Sequence, residues 1–258
     1  VGVAEVMDMP GVLRGTAHMT GIVAAGLASG KNVNGHARGM VDGDLQAYAS
    51  AGVTSCHEII SPEDFVQKLR TGMTVELRGS HDYVLPGVLT ALAALPMLPP
   101  NLVLCTDDIF PDELLEKGGM RDTIARIIAR GVNPIAAIRC ATLHAAMRLK
   151  RDDLGLIGAG RQADIVVLSD LMTVAVERVI AAGNLVAKDG RLIVPPRRSR
   201  GPTDTVKLAT QPIEAFMPRV NGVGDGRARL RRIVGARHGV WGSVDVAVRN
   251  GFAVLPPD

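Results

Sequence analysis

Aromatic residues make up only 3% of this 258-residue chain, with a single tryptophan. That scarcity disfavours a β-sandwich and leaves the basic stretches without the interleaved rings that single-stranded nucleic acid stacks on. Disulfide-paired spacing is also lacking, since Cys56, Cys105 and Cys140 lie far apart. Such usage belongs to a reducing cytosol, where cysteine serves as a small apolar filler, and it places the protein in the cytoplasm. No segment approaches the roughly 18 consecutive apolar residues of a membrane span, and no signal-peptide pattern is present, so no membrane partner is expected. Neither sign of charge dominates, the formal net charge being +3. The basic surplus lies late, in Arg197-Arg198-Ser199-Arg200 and between Arg227 and Arg237. It reads as solvated surface, and no nucleic-acid partner is expected.

What remains is a globular, aliphatic chain. Hydrophobic residues are 47% and charged residues 21%, enough for one or two ordinary cores, and 29 glycines provide many tight turns. This composition favours an α/β protein. From residue 1 to about 150, short apolar strands alternate with helix-length amphipathic stretches, as in repeated βα units. Strands are expected near 2–7, 32–35, 53–56, 73–77 and 101–105, with helices at about 18–29, 43–51, 62–71 and 84–95. Ser61-Pro62-Glu63-Asp64 has the form of a helix start, with acidic residues suited to the helix dipole. Gly30, Gly52, Gly72 and Gly131 fall where the helices should end. Two further helical segments follow at 120–130 and 133–148.

After residue 150 the period changes to that of short strands and turns, through Ile165-Val166-Val167-Leu168, residues 174–187 and residues 191–194. The expected domains are 1–150, a partial (β/α) barrel carrying strands four to eight, then 151–200, a β-rich module and linker, then 201–258, a partial C-terminal α+β region. Pro195 and Pro196 with the basic Arg197 to Arg200 have the composition of a linker. The chain opens on Val1 with strand-like residues, which is expected of a fragment.

Four sites stand at the C-terminal ends of predicted strands, where a (β/α) barrel presents its ligands on one rim. They are Glu5, His36, His57 and Asp107. Glu5, in Val3-Ala4-Glu5-Val6, is a carboxylate in an apolar strand and must be paired or liganded. Taken singly, a salt-bridged carboxylate or a hydrogen-bonded histidine accounts for each site as well as a ligand does. Together, imidazole and carboxylate at successive strand ends suit zinc, manganese or iron with a position left for water. Asp107 is placed to take a proton from such a water and return it to a leaving group. Asp108 and Glu58 directly follow proposed ligands and are placed to address a substrate. A helix or turn cap is the alternative for Asp108.

The phrases Ala4-Glu5-Val6-Met7-Asp8-Met9-Pro10-Gly11-Val12, Asn34-Gly35-His36-Ala37-Arg38-Gly39, Cys56-His57-Glu58, Leu77-Arg78-Gly79-Ser80 and Cys105-Thr106-Asp107-Asp108 occur in that order. In them the chain resembles the metal-dependent amidohydrolase superfamily and, within it, the bacterial adenine deaminases. The stretch Gly155 to Leu168 resembles a signature of the superfamily as a whole. The resemblance implies the C-terminal part of a TIM-like (β/α)8 barrel plus a small β-rich domain. It also implies hydrolytic deamination of adenine to hypoxanthine and ammonia by metal-activated hydroxide at a binuclear divalent-metal centre, with manganese, iron or zinc. In that family a strand-four glutamate bridges the metals, two strand-end histidines ligate, and the strand-eight aspartate ligates and shuttles protons. These roles map onto Glu5, His36, His57 and Asp107. Glu58 is assigned with Asp107 to catalysis, and Arg78 and Ser80 with Asp108 to the purine substrate.

The family's His-x-His pair of the first barrel strand is not formed by any of His18, His36, His57, His81, His144 and His238. Strands one to three are therefore expected before Val1. The isolated chain, with four of six expected ligands, is expected to bind metal weakly and to be inactive, and the complete protein to be a homodimer. His18 and His238 are expected at the surface, His144 in a structural place, and His81 at the surface or a helix entry. Two other functions stay open, an amidohydrolase acting on another cyclic amidine or amide and a catalytically dead scaffold.

Overall fold

The protein is described by a computed structural model covering residues 2–80, 83–93, 95, 97–195, 201, 205, 207–234 and 240–255. It divides into two compact units, Val1–Pro196 and Arg197–Asp258. Residues 151–196 thus cluster with the βα region.

Five strands in the first unit form one parallel sheet. They are β1 (Val3–Val6), β2 (Val33–Gly35), β3 (Ser55–Cys56), β4 (Thr74–Arg78) and β5 (Leu102–Cys105), hydrogen-bonded in that order. Parallel neighbours need a crossover, and helices supply it. These are α1 (Met9–Leu13), α2 (Ala17–Ala28), α3 (Asp42–Ser50), α4 (Pro62–Arg70) and α5 (Leu85–Ala93). The two-residue period of a strand sorts the side chains. Val75 and Leu77 of β4 and Leu102 and Leu104 of β5 bury themselves with Phe65, Val88 and Ile127 in one core cluster. Val6, Val33 and Val53 join Val23, Leu45 and Tyr48 in a second. The alternate residues of the same strands, among them Asn34, Glu76 and Arg78, are left for the opposite face.

The expected helix signals operate as their chemistry requires. The Ser61 hydroxyl accepts from Asp64 N at 3.2 Å and starts α4. Gly52 ends α3 at φ +106°, a conformation that costs glycine least.

Three departures from the expected elements have local causes. α1 and α6 (Pro111–Glu116) are short helices without enough turns to show a period, and Asp8 caps α1 by accepting from Gly11 N at 2.9 Å. α7 (Met120–Ala129) lies within its expected span. The helix expected over 133–148 is two, α8 (Pro134–Ala141) and α9 (Leu143–Arg148), broken where Thr142 adopts φ −122°, ψ −83°. Its apolar spacing runs across the break, so periodicity cannot register it.

A four-stranded antiparallel sheet follows: β6 (Ile165–Asp170), β7 (Ala175–Ala181), β8 (Asn184–Lys188) and β9 (Arg191–Leu192), in that order. In the second unit β10 (Gly226–Val234), β11 (Val240–Arg249) and β12 (Phe252–Val254) form an antiparallel sheet, preceded by a 3-10 turn at Ile213–Phe216. Val246, Val248 and Ala253 are its buried residues. On its exposed side Arg229 forms a two-point ion pair with Asp245 and Arg231 lies over Trp241. The basic run Arg197 to Arg200, His81 and His238 lie outside the described residues.

Candidate metal centre

The C-terminal ends of the five parallel strands carry one polar constellation. Glu5 lies near the end of β1, His36 directly follows β2, His57 directly follows β3, Arg78 ends β4, and Asp107 lies two residues past β5. Neighbouring strands in register hold their side chains on one face, so residues up to 102 positions apart in sequence reach a common space.

Glu5 is the junction of the first group. Its Oε2 is 3.1 Å from His36 Nδ1 and 2.9 Å from His57 Nε2. The imidazoles meet edge to face with centroids 5.3 Å apart. Potential ligand atoms of Glu5, His36 and His57 all lie within 4.8 Å of one another, and those of His57, Glu58 and Asp107 do likewise. His57 belongs to both groups, its Nε2 standing 3.9 Å from Asp107 Oδ2.

Arg78 organises the second group. Its side chain is 6% exposed and pairs with three carboxylates: Glu58, Asp107 Oδ2 at 2.6 Å, and Asp108 Oδ2 at 2.5 Å. Ser80 Oγ accepts from Arg78 Nε at 3.3 Å. Asp107 Oδ2 is buried and accepts no well-aligned hydrogen bond among the described residues, so the Arg78 contact is an ion pair that leaves a lone pair unspent. Asp107 also sits at φ +48°, a left-handed conformation that aspartate tolerates better than most residues. Its Oδ1 accepts from Asp108 N at 2.9 Å.

Glu58 is 3% exposed and has both oxygens engaged, one by Arg78 and the other by Arg38. Burial pushes its carboxyl upward, but the Arg38 hydrogen bond and the charges of Arg78 and Arg38 outweigh that and hold it below the usual carboxylate range. The segment bearing His57 and Glu58 is pinned from beneath. Lys68, fully buried on α4, donates Nζ–H to Glu58 O at 2.5 Å and pairs with Asp64 at 2.8 Å, while Ile60 N donates to Asp64 Oδ2 at 3.0 Å. His36 is held similarly, because Tyr48 OH donates to Val6 O at 2.5 Å and accepts from His36 N at 3.2 Å.

Every residue expected at the site is in this constellation: Glu5, His36, His57, Glu58, Arg78, Ser80, Asp107 and Asp108. His18 is exposed on α2. His144 is buried, with Nδ1 3.0 Å from Leu102 O. Sequence reasoning passed over Arg38, Asp64, Lys68 and Glu76. For Glu76 a signal existed, since in Thr74-Val75-Glu76-Leu77-Arg78 it shares the strand face of Arg78.

The chain matches the amidohydrolase family over residues 17–186. It is 50% identical over 258 residues to an adenine deaminase of Klebsiella pneumoniae subsp. pneumoniae, covering 99% of this chain and 43% of that protein. It is 46% identical over 259 residues to adenine deaminase 2 of Agrobacterium fabrum, covering 100% of this chain and 43% of that protein. The chain therefore spans less than half the length of these curated relatives. Among solved structures it is similar to an N-acetyl-D-glucosamine-6-phosphate deacetylase from Mycobacterium smegmatis, with TM-score 0.55 and 21% identity over 71% of this chain and 54% of that one. It is also similar to a beta-aspartyl dipeptidase from Fervidobacterium islandicum, with TM-score 0.56 and 18% identity over 77% of this chain and 60% of that one. At those identities the likeness is one of fold.

Proposed function

We propose, from the premise that this chain belongs to the amidohydrolase family, that the complete protein is a metal-dependent hydrolase that deaminates adenine to hypoxanthine and ammonia. The observation that carries this reading is that Glu5, His36, His57 and Asp107, at the ends of β1, β2, β3 and β5 of one parallel sheet, fall in two groups of potential ligands joined by His57. Identity of 46–50% to adenine deaminases along the chain supports the choice of substrate.

The residues fit a divalent metal. Imidazole nitrogens and carboxylate oxygens lie close enough to share an ion, and Asp107 Oδ2 keeps an unspent lone pair. Glu5, His36, His57 and Asp107 would hold it, in a binuclear centre with manganese or iron, zinc being also compatible with these donors. When bound, the metal supplies Lewis acidity and acidifies water at neutral pH.

The chain's own residues do the rest. Asp107 takes a proton from the attacking water at its carboxylate and delivers it to the departing amino nitrogen. Glu58, kept ionised by Arg38 and Arg78, supplies a fixed negative charge beside His57. Arg78 holds Asp107 and Asp108 in place, and Asp108 and Ser80 face the purine with it. Asp108 is the most exposed of the three carboxylates paired with Arg78, its side chain 75% accessible, and so presents its outer surface to a ligand.

We further place the complete protein in the cytoplasm as a homodimer with no nucleic-acid or membrane partner. Three free thiols support the compartment, and the scarcity of aromatics argues against single-stranded nucleic acid. We also propose that residues 1–150 are a partial (β/α) barrel with strands four to eight, 151–200 a β-rich module and linker, and 201–258 a partial C-terminal α+β domain.

The test is adenine-dependent ammonia release by the protein in its full reading frame, loaded with manganese or iron, beside Asp107→Asn. Release in the wild type that falls by about 10²- to 10⁴-fold in the variant supports the reading. A folded, metal-loaded wild type that releases none rejects adenine as substrate.

A further inference from the structure

The two ring nitrogens of His57 face different chemistry. Nε2 looks toward Glu5 at 2.9 Å, with Glu58 and Asp107 each at 3.9 Å. Nδ1 looks the other way, toward Oε2 of Glu76 at 3.9 Å. Parallel pairing of Ser55 with Thr74 and Cys56 with Val75 carries His57 to the level of Glu76, so the strand register itself sets the two side by side.

Glu76 is not free to turn away. Its other oxygen, Oε1, lies 3.3 Å from Nε of Arg148, whose side chain is 9% exposed. The Arg148 guanidinium also donates to Asn34 Oδ1, and its carbonyl accepts from Asn32 Nδ2 at 2.7 Å. Asn34 Nδ2 in turn donates to Val3 O at 2.8 Å. The result is a polar brace from β1 through β2 and α9 to β4, ending in a carboxylate oxygen aimed at one nitrogen. A buried ion pair is a weak source of stability. Its direction is the informative feature.

We propose that Glu76 is a positioning residue for His57, and Arg148 the group that aims it. A shift of about 1 Å brings Nδ1 and Oε2 into hydrogen-bond range. With Nδ1–H donated to Glu76, Nε2 is left with its lone pair directed at the metal position, and the imidazole is made a better ligand. Glu76 touches neither substrate nor metal in this arrangement. The inference rests on the metal-centre reading above.

The test uses the protein in its full reading frame with zinc, whose closed shell permits NMR of the histidines. In the zinc-loaded wild type the His57 Nδ1 proton is expected downfield and slow to exchange. Glu76→Gln keeps an acceptor oxygen and is expected to retain most of the zinc affinity. Glu76→Leu paired with Arg148→Met replaces the ion pair by apolar volume, and is expected to weaken zinc binding by about 10- to 100-fold while keeping its circular dichroism. A folded double variant that binds zinc as tightly as the wild type overturns the proposal. A His57 Nδ1 proton exchanging as fast as that of free imidazole in the wild type also overturns it, with no variant needed. If the wild type takes up no zinc at all, the metal-centre reading fails first and takes this inference with it.

Discussion

Oε2 of Glu5 stands 2.9 Å from Nε2 of His57, and the same oxygen lies 3.1 Å from Nδ1 of His36. One carboxylate oxygen thus draws together imidazoles from the ends of two neighbouring strands. A divalent cation placed among these atoms would replace contacts between protein groups with bonds to itself, and its binding free energy would add to the stability of the native state.

Manganese is therefore expected to raise the melting temperature of the protein in its full reading frame. Free metal at 100 times its Kd adds about 2.7 kcal/mol. Glu5→Gln should lose most of that rise, since the group joining both histidines then carries no charge. Scanning fluorimetry with and without metal checks it. An equal rise in the variant would show that the ion binds elsewhere.

Glu58 is held by two arginines of unequal burial. The Arg78 side chain is 6% exposed and that of Arg38 is 51% exposed. Arg78→Met takes the buried partner from Glu58 and from the partly buried Asp107 and is expected to cost about 3–5 kcal/mol. Arg38→Met removes a half-exposed partner and leaves Glu58 paired with Arg78, so it should cost about 1 kcal/mol. Urea denaturation distinguishes them, and similar costs would contradict the assignment of Arg78 as the central charge.

Lys68→Ala strands Asp64 and frees the Glu58 carbonyl, so a loss of about 3–5 kcal/mol is expected. Lys68→Met with Asp64→Leu removes both charges and should regain most of it. If the single variant is as stable as the double one, the pair is not holding the segment after β3.

Tyr48 gives a pH dependence of definite sign. Burial pushes its phenol from 10.0 up to about 12. Between those values the folded state holds a proton that the unfolded state has lost, so the contribution is fully present below pH 10 and is lost as pH rises toward 12. Tyr48→Phe should be less stable at neutral pH by about 1 kcal/mol through the lost hydrogen bond to Val6 O. It should also lack this alkaline decline. Denaturation curves on both sides of pH 10 decide, and an unchanged alkaline slope in the variant would assign it to another group.

Much of the site could be read in advance because it stands where local patterns end. Glu5, near the end of an apolar strand, and His36, His57 and Asp107, just past short apolar or small-residue segments, each stand at a position set by a few neighbouring residues. The supporting residues had no such mark. Lys68 follows Gln67 in an amphipathic helix, where a lysine ordinarily faces water, yet it is fully buried beneath Glu58. The break at Thr142 was hidden for the converse reason, since the apolar spacing continues across it.

The amino-acid order by itself determined the alternation of strand and helix, the caps and stops that bound α4 and α3, and the residue type at each strand end. Those depend on backbone sterics and on side chains within a few positions of one another. Only the tertiary structure decided that Arg78 serves three carboxylates at once, that Glu58 is spoken for by two arginines, and that Arg148 reaches Asn34, 114 residues away, to aim Glu76 at His57. Such meetings are set by parallel register and by which faces pack together. Contacts between distant segments leave no periodicity in the chain that makes them.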